Sequence, residues 1–408
     1  MATVYYAKWI LLPSGEILEN GAVSVAGDRI AYVGPRGKYV RSSEDHPVML
    51  GDLFLIPGLI NMHCHLEEGV VRSYPKDEEE TFASWLAKKN SRIRQAARET
   101  LSASIRLGCR ELLSNGVTTV VDSSRTGLSA EILDKEPIRS CVIHEIHADD
   151  PGQEEAAAAL LKEHIAQTGH FFRTGAGPYS IFSLSPGLQR ELLDSVAQGG
   201  HLWATHLAES AEELQAFSEH AGDLYFHISR KKGWQFGKQT AGALQYALTN
   251  NLIPDKAICF HCNYVSGAEL DLLAEKGAFI VQCLQYTSAL GHKPFSIDAA
   301  RLRRIPLCLG TESIVYSESM SLFDELNFAK RRYPHIPAKE MMRWVTINPA
   351  TAIGAQHELG SLDIGKLADL IGVAVRIDKS DNVLEQLIMG ESEVKLVMVG
   401  GEEVIADY

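Results

Sequence analysis

Residues 58–69 read GLINMHCHLEEG, and they close an almost wholly apolar run, Leu53–His65. A short apolar run of this kind suits a strand buried on both faces. His63 and His65 are two residues apart, so on an extended chain both imidazoles leave one face while Cys64 leaves the other. One strand can then offer two ligands to a single cation. Two surface histidines at a strand end would look the same, so the pair gains weight only from what other strands place beside it.

Seven further strand candidates follow: Val117–Val121, Ser140–His147, Thr174–Tyr179, Leu202–Leu207, Ala257–Cys262, Ala278–Gln282 and Pro306–Gly310. Between them, stretches such as Glu80–Arg110, Leu188–Ala197 and Gly267–Lys276 carry apolar residues at helical spacing. Eight strands alternating with helices over about 300 residues match a (β/α)8 barrel better than an open sheet. Both ends of the chain read differently. AVSVAGDRIAYVG is a hairpin turning at Gly27-Asp28, and VKLVMVGGEEVIAD is one turning at Gly400-Gly401. The expected fold is therefore α/β: a TIM-like barrel over 56–356, with a small β-sandwich domain built from both termini, 1–55 and 357–408.

The composition narrows the function. The 408 residues are 45% hydrophobic and 22% charged, as in a globular chain rather than a disordered one. A net charge of −13 disfavours nucleic acid and anionic membrane, and the basic runs Arg301–Arg304 and Lys330–Arg332 are too short to override it. No apolar stretch approaches the ~20 residues of a membrane span. Met1–Leu12 lacks the basic and apolar regions of a secretory signal. Seven cysteines are an odd number, and the single CxxC, Cys259–Cys262, has no second pair, so neither a disulfide framework nor a structural zinc site is expected. Cytoplasmic residence follows as an expectation. The 15 histidines are enough for a metal centre if some converge.

Catalytic groups of a barrel gather at the C-terminal ends of its strands. There the sequence puts His63 and His65 (strand one), His206 and Glu209 (strand five), His261 (strand six) and Glu312 (strand eight). Each alone reads as a packed or solvated side chain; together they describe a metal hydrolase. A divalent ion held by neutral imidazoles and a carboxylate yields hydroxide at neutral pH. A carboxylate three residues beyond a ligand can carry a proton to the leaving group.

Through IPGLINMHCHLE, ATHLAES, FHCNYVS and TINPATAIG…LGSLDIGKLADLIG, nearly the whole chain resembles the amidohydrolase superfamily, in its cytosine-deaminase-like branch of chlorohydrolases and aromatic aminohydrolases. The resemblance implies one divalent metal, zinc before iron, on His63, His65, His206 and Glu312. It implies that Glu209 protonates the ring nitrogen beside the attacked carbon, that Glu312 is the base for the attacking water, and that His261 orients the nucleophile. The stretch assigned to strand four has no lysine to carbamylate, in keeping with a single metal. HLE, FASWL, HLAESAEE and GTESIVYSESMSL look most like 6-aminodeoxyfutalosine deaminases, which implies that Glu67 and Trp85 line a nucleoside pocket with Ser313 beside the metal carboxylate. A core role for Trp85 and a loop role for Glu67 are the bland alternatives. A homodimer or larger homo-oligomer is implied as well.

Three departures stand out. Relatives carry Asp in a GTD motif where this chain has Glu312. Their PHAPY becomes GAGPY, which puts Ala176 in place of a histidine and keeps Tyr179. Their HCPRSN becomes QCLQYTS, with Gln282 replacing histidine and Leu284-Gln285-Tyr286 following. The expected activity is deamination at a C–N bond of a small aromatic heterocycle. Hydrolysis of a chloro-heterocycle or a cyclic amide is the second reading, and a non-catalytic ligand-binding barrel, motivated by Glu312, is the third.

Overall fold

The structure is a computed structural model, and it describes residues 1–148, 151–165, 172–231, 233, 237–316, 319–377 and 382–408. Eight strands run parallel, each paired with its neighbour in chain order: Leu59–Cys64, Val117–Ser124, Arg139–Ile146, Arg173–Pro178, Leu202–Leu207, Ile258–His261, Phe279–Gln282 and Leu307–Leu309. A parallel bridge between Cys64 and Glu312 joins strand one to the end of strand eight. The sheet thus comes round as a barrel, and the strand-eight carboxylate is brought beside the two histidines of strand one.

Period-2 alternation explains what fills the barrel. Ile60, Met62, Val121, Cys141, Ile143, Ala204, Ile258, Phe260, Phe279, Val281 and Cys308 form one interior cluster. The alternate residues, such as Val120, Val142, Leu207, Cys259 and Ile280, pack outward with the helices. Cys64 shares the parity of Ile60 and Met62 yet packs in the outer cluster, because the pairing with strand two shifts register between Asn61 and Cys64; His63 and His65 thereby face inward.

The expected run Leu53–His65 is two strands. Phe54–Pro57 pairs antiparallel with Leu370–Ala374 and parallel with Thr3–Leu11, whereas Leu59–Cys64 enters the barrel. An unbroken apolar run hides this handover because both strands are buried. Gly58 sits at the junction, where a Cβ would lie 2.1 Å from Thr118 Oγ1. The expected helical stretch Glu80–Arg110 is likewise two helices, Phe82–Gln95 and Arg98–Ser114, separated by extended Ala96 and Ala97. Thr81 caps the first by accepting from Ser84 N at 3.2 Å.

Strands from both termini share one sheet, in the order Glu402–Ala406, Glu393–Val399, Leu370–Ala374, Phe54–Pro57, Thr3–Leu11, Ile17–Ala26 and Arg29–Pro35, with His46–Met49 on Thr3–Leu11. Both expected hairpins are present. Gly400 and Gly401 take φ of +58° and +82°, the conformation that a two-residue turn of this hand requires.

Candidate active site

Strand one delivers its histidines through local hydrogen bonds that anchor the barrel seam. His63 O accepts from both Thr311 N (2.9 Å) and Glu312 N (3.0 Å), and Glu312 O accepts from His65 N (3.2 Å). Asn61 adds a side-chain stitch, donating to Thr311 Oγ1 at 2.8 Å. Gly310 is needed for this approach, because a Cβ there would lie 2.6 Å from His63 O.

Backbone of unusual hand aims several of the functional side chains. His261 follows inward-facing Phe260, so simple alternation would turn it outward; its φ of +67° re-aims it. Ala208 and Glu312 have φ of +49° and +54° at the ends of strands five and eight. Each such residue costs about 1–3 kcal/mol and persists only where the surroundings hold it.

The result is a buried cluster. Glu312 Oε2 lies 2.5 Å from His63 Nε2, 3.5 Å from His261 Nε2 and 3.8 Å from His206 Nε2, while Oε1 lies 3.3 Å from His65 Nε2. His63 and His206 bring their Nε2 atoms to 3.1 Å of each other. The donor atoms of His63, His206, His261 and Glu312 all lie within 4.8 Å of one another. The longer glutamate therefore does reach the imidazoles.

These atoms suit a divalent cation. Neither Glu312 oxygen makes a hydrogen bond, nor does Nε2 of His65 or His261, although all are buried. Orphaned polar atoms pointed into one space are costly unless something charged joins them. Tautomers agree with this. His206 Nδ1 lies 2.7 Å from Tyr179 O, a carbonyl that can only accept, so Nδ1 carries the proton and Nε2 presents a lone pair inward.

Electrostatics follow from burial and crowding. Burial pulls His63 down to about 4 and His206 to about 3, which keeps both neutral as ligands must be. Burial would lower His65 as well, but Glu145, Glu312 and Glu68 outweigh it and raise it to about 10, so a cation binding there would displace its proton. Burial alone would raise Glu312, yet His63 and His65 with the other imidazoles hold it well below the carboxylate range. Glu209 is pushed up, chiefly by burial; its Oε1 lies 3.9 Å from His261 Nε2 and makes no hydrogen bond.

The expected substrate contacts fall into two groups. Tyr179 stacks on the His206 ring at 4.3 Å, its hydroxyl buried and unbonded. Trp85, fully buried, clusters with Phe82, Leu86 and Tyr179 and donates to Tyr74 O at 3.3 Å. Ser313 is buried, its Oγ accepting from Val315 N at 3.3 Å. The other group is occupied by the protein. Glu67 accepts from Ser124 Oγ (2.5 Å), Thr126 Oγ1 (2.7 Å) and Arg125 N (3.2 Å), and Gln282 Nε2 donates to His261 O.

Sequence reasoning named Tyr286 only within the altered strand-seven loop, and it missed Glu145 and Arg125. Tyr286 sits with its ring 5.7 Å from His261 and its hydroxyl buried without a partner. Glu145 and Arg125 lie behind the histidines, with Arg125 Nε 3.3 Å from Glu145 Oε2. Glu145, next to last in strand three, is in phase with inward-facing Cys141 and Ile143, a signal that alternation does carry.

The chain is similar to several known proteins along nearly its whole length. A 5-methylthioadenosine/S-adenosylhomocysteine deaminase of Moorella thermoacetica is 25% identical over 96% of this chain and 91% of its own length. Aminofutalosine deaminase of Helicobacter pylori, solved with methylthio-coformycin, superposes with a TM-score of 0.83 at 21% identity, covering 99% of this chain and 100% of that one. Atrazine chlorohydrolase of Arthrobacter aurescens, solved with zinc, gives 0.81 at 18% identity, covering 99% and 95%. At these identities the two structures establish the shared fold. The model of the amidohydrolase family matches residues 54–404, from the last strand before the barrel to the final hairpin, and the chain belongs to that family of hydrolases acting on carbon–nitrogen bonds.

Proposed function

We propose that this amidohydrolase is a metal-dependent aminohydrolase that releases ammonia from an aromatic heterocycle, with a 6-aminopurine nucleoside such as aminodeoxyfutalosine as the first candidate substrate. The observation that carries this reading is the placement of Glu209, buried and raised in pKa, beside four imidazoles that close on Glu312. His63, His65, His206 and Glu312 would hold the ion, zinc before iron. When bound, such an ion acts as a Lewis acid and lets water serve as a nucleophile near neutral pH.

The chain's own groups then divide the proton work. Glu312 takes a proton from the attacking water. Glu209, whose carboxyl burial pushes up, gives one to the ring nitrogen beside the attacked carbon. His261 Nε2, between Glu209 and Glu312, orients the incoming oxygen. The C–O bond forms, the C–N bond breaks, and the nitrogen leaves as ammonia after taking up a proton. Tyr179 and Tyr286 supply flat apolar walls for the ring. Residues 56–356 would form the catalytic unit and residues 1–55 with 357–408 its β support. Seven cysteines, all buried and unpaired, support a reducing cytosolic setting.

The test is ammonia release from a panel of 6-aminopurine nucleosides by protein carrying one zinc per chain. Release from none of them, in protein that holds its metal, would set the deaminase reading aside. A second reading, loss of chloride or a substituted amine from a triazine-like ring, draws support from Ala176 and from Gln282, whose amide is committed to His261 O. Chloride or alkylamine without ammonia would favour it.

A further inference from the structure

Behind the cluster, on the side away from Glu312, a single carboxylate spans two of the imidazoles. Glu145 Oε2 lies 3.8 Å from His65 Nδ1, and its Oε1 lies 3.7 Å from His206 Nδ1. The side chain is 3% exposed, and Oε1 makes no hydrogen bond. The rings it faces are stacked, with centroids 5.5 Å apart and planes at 17°. Arg125 fixes the carboxylate from behind, Nε to Oε2 at 3.3 Å, and is itself held by Asn90 and lies over the Tyr179 ring at 4.5 Å.

We infer that Glu145, held by Arg125, is a positioning residue shared by His65 and His206: it faces the Nδ1–H of each ring and so leaves both Nε2 atoms free to bind a metal. The inference rests on the metal centre proposed above. The two rings depend on Glu145 unequally. His206 has a second restraint in the Tyr179 carbonyl at 2.7 Å, whereas His65 Nδ1 faces only the carboxylate among its described polar contacts. His65 is therefore the ring more dependent on the Glu145 charge, which acts across a gap wider than a hydrogen bond. A carboxylate that orients a ligating histidine and raises its basicity commonly governs metal affinity 10–100-fold. Glu145 lies on the protonated side of His206, and so is placed to orient ligands rather than to bind the same ion.

The test compares full-length wild type with Glu145→Gln and Glu145→Asp. Zinc affinity is measured by competition with a chromophoric chelator, alongside the melting temperature of the metal-free proteins and the visible spectrum of the cobalt(II)-loaded ones. Glu145→Gln should bind zinc about 10–100-fold more weakly, with Glu145→Asp in between. The cobalt spectrum of Glu145→Gln at full loading should change, because His65 is free to rotate. If Glu145→Gln does not fold, Glu145→Asp alone carries both readouts. Zinc affinity within about threefold of wild type with an unchanged cobalt spectrum overturns the inference. So does a lower metal-free melting temperature with unchanged affinity, since that marks a packing role. A wild-type protein that binds no divalent metal would instead overturn the proposed function.

Discussion

Glu209 and His261 face each other across 3.9 Å, carboxylate Oε1 to imidazole Nε2, a gap wider than a hydrogen bond. Glu312 Oε2 lies 3.5 Å from the same nitrogen. His261 thus stands between a buried acid and a buried base, and the three could act on one substrate atom without being locked to one another.

Glu209→Gln keeps the shape and removes the proton. Turnover should fall by about 10²–10⁴. Zinc content should stay at the wild-type level, because Glu209 is not among the proposed ligands His63, His65, His206 and Glu312 and its Oε1 lies 3.9 Å from His261 Nε2 instead. Steady-state ammonia release together with elemental analysis checks both.

Glu312→Asp restores the residue of the usual motif but withdraws the carboxylate by about 1.5 Å, one C–C bond. The strand-eight backbone holds Glu312 at φ +54° with the longer side chain touching His63 at 2.5 Å. Lower zinc occupancy and a kcat/KM reduced by about 10² are expected. A gain in turnover would instead mark Glu312 as a crippled ligand.

Gly310→Ala should be destabilising beyond its single methyl. The added Cβ would meet His63 O at 2.6 Å and His63 N at 2.8 Å, both backbone atoms that cannot swing aside. Overpacking of this kind costs about 1–3 kcal/mol. Thermal melting should show the loss, and zinc affinity should fall with it because His63 is what moves.

Glu325 gives a pH signature away from the metal. Burial raises its carboxyl from 4.5 to about 8, although it accepts from Leu284 N (2.8 Å) and Gln285 N (3.2 Å). A raised folded pKa gives stability that is whole below the unfolded value and is lost as pH climbs through the folded one. Wild-type stability should therefore decline between about pH 4.5 and 8, by up to ~1.4 kcal/mol per pH unit from this group. Denaturant titrations across that range should give a flatter slope for Glu325→Gln, whatever its absolute stability.

Much of this was legible in the sequence, and for a physical reason. Alternation tells which residues share a face, so His63 and His65 were readable as a pair set against Cys64; that the pair turns inward depends on the register shift between Asn61 and Cys64, which residue order does not announce. Alternation cannot say which residues meet across the barrel. Glu145 was missed because its meaning lies in Nδ1 atoms on strands one and five, and Glu67 was expected at the substrate because nothing local announces its bonds to Ser124 and Thr126. His261 was found by its motif although strict alternation would have turned it away; a positive φ cannot be read from residue order.

The handover at Gly58 has a consequence for how this architecture can change. Phe54–Pro57 is held between strands from both ends of the chain, and one residue later the same segment becomes the strand that carries His63 and His65. The terminal sheet is thus no cassette to be exchanged on a self-sufficient barrel. Recombination that swaps either end would have to preserve the register of Phe54–Pro57, or the misalignment would be carried straight into the histidine pair. The two ends of the gene are thereby bound to vary together.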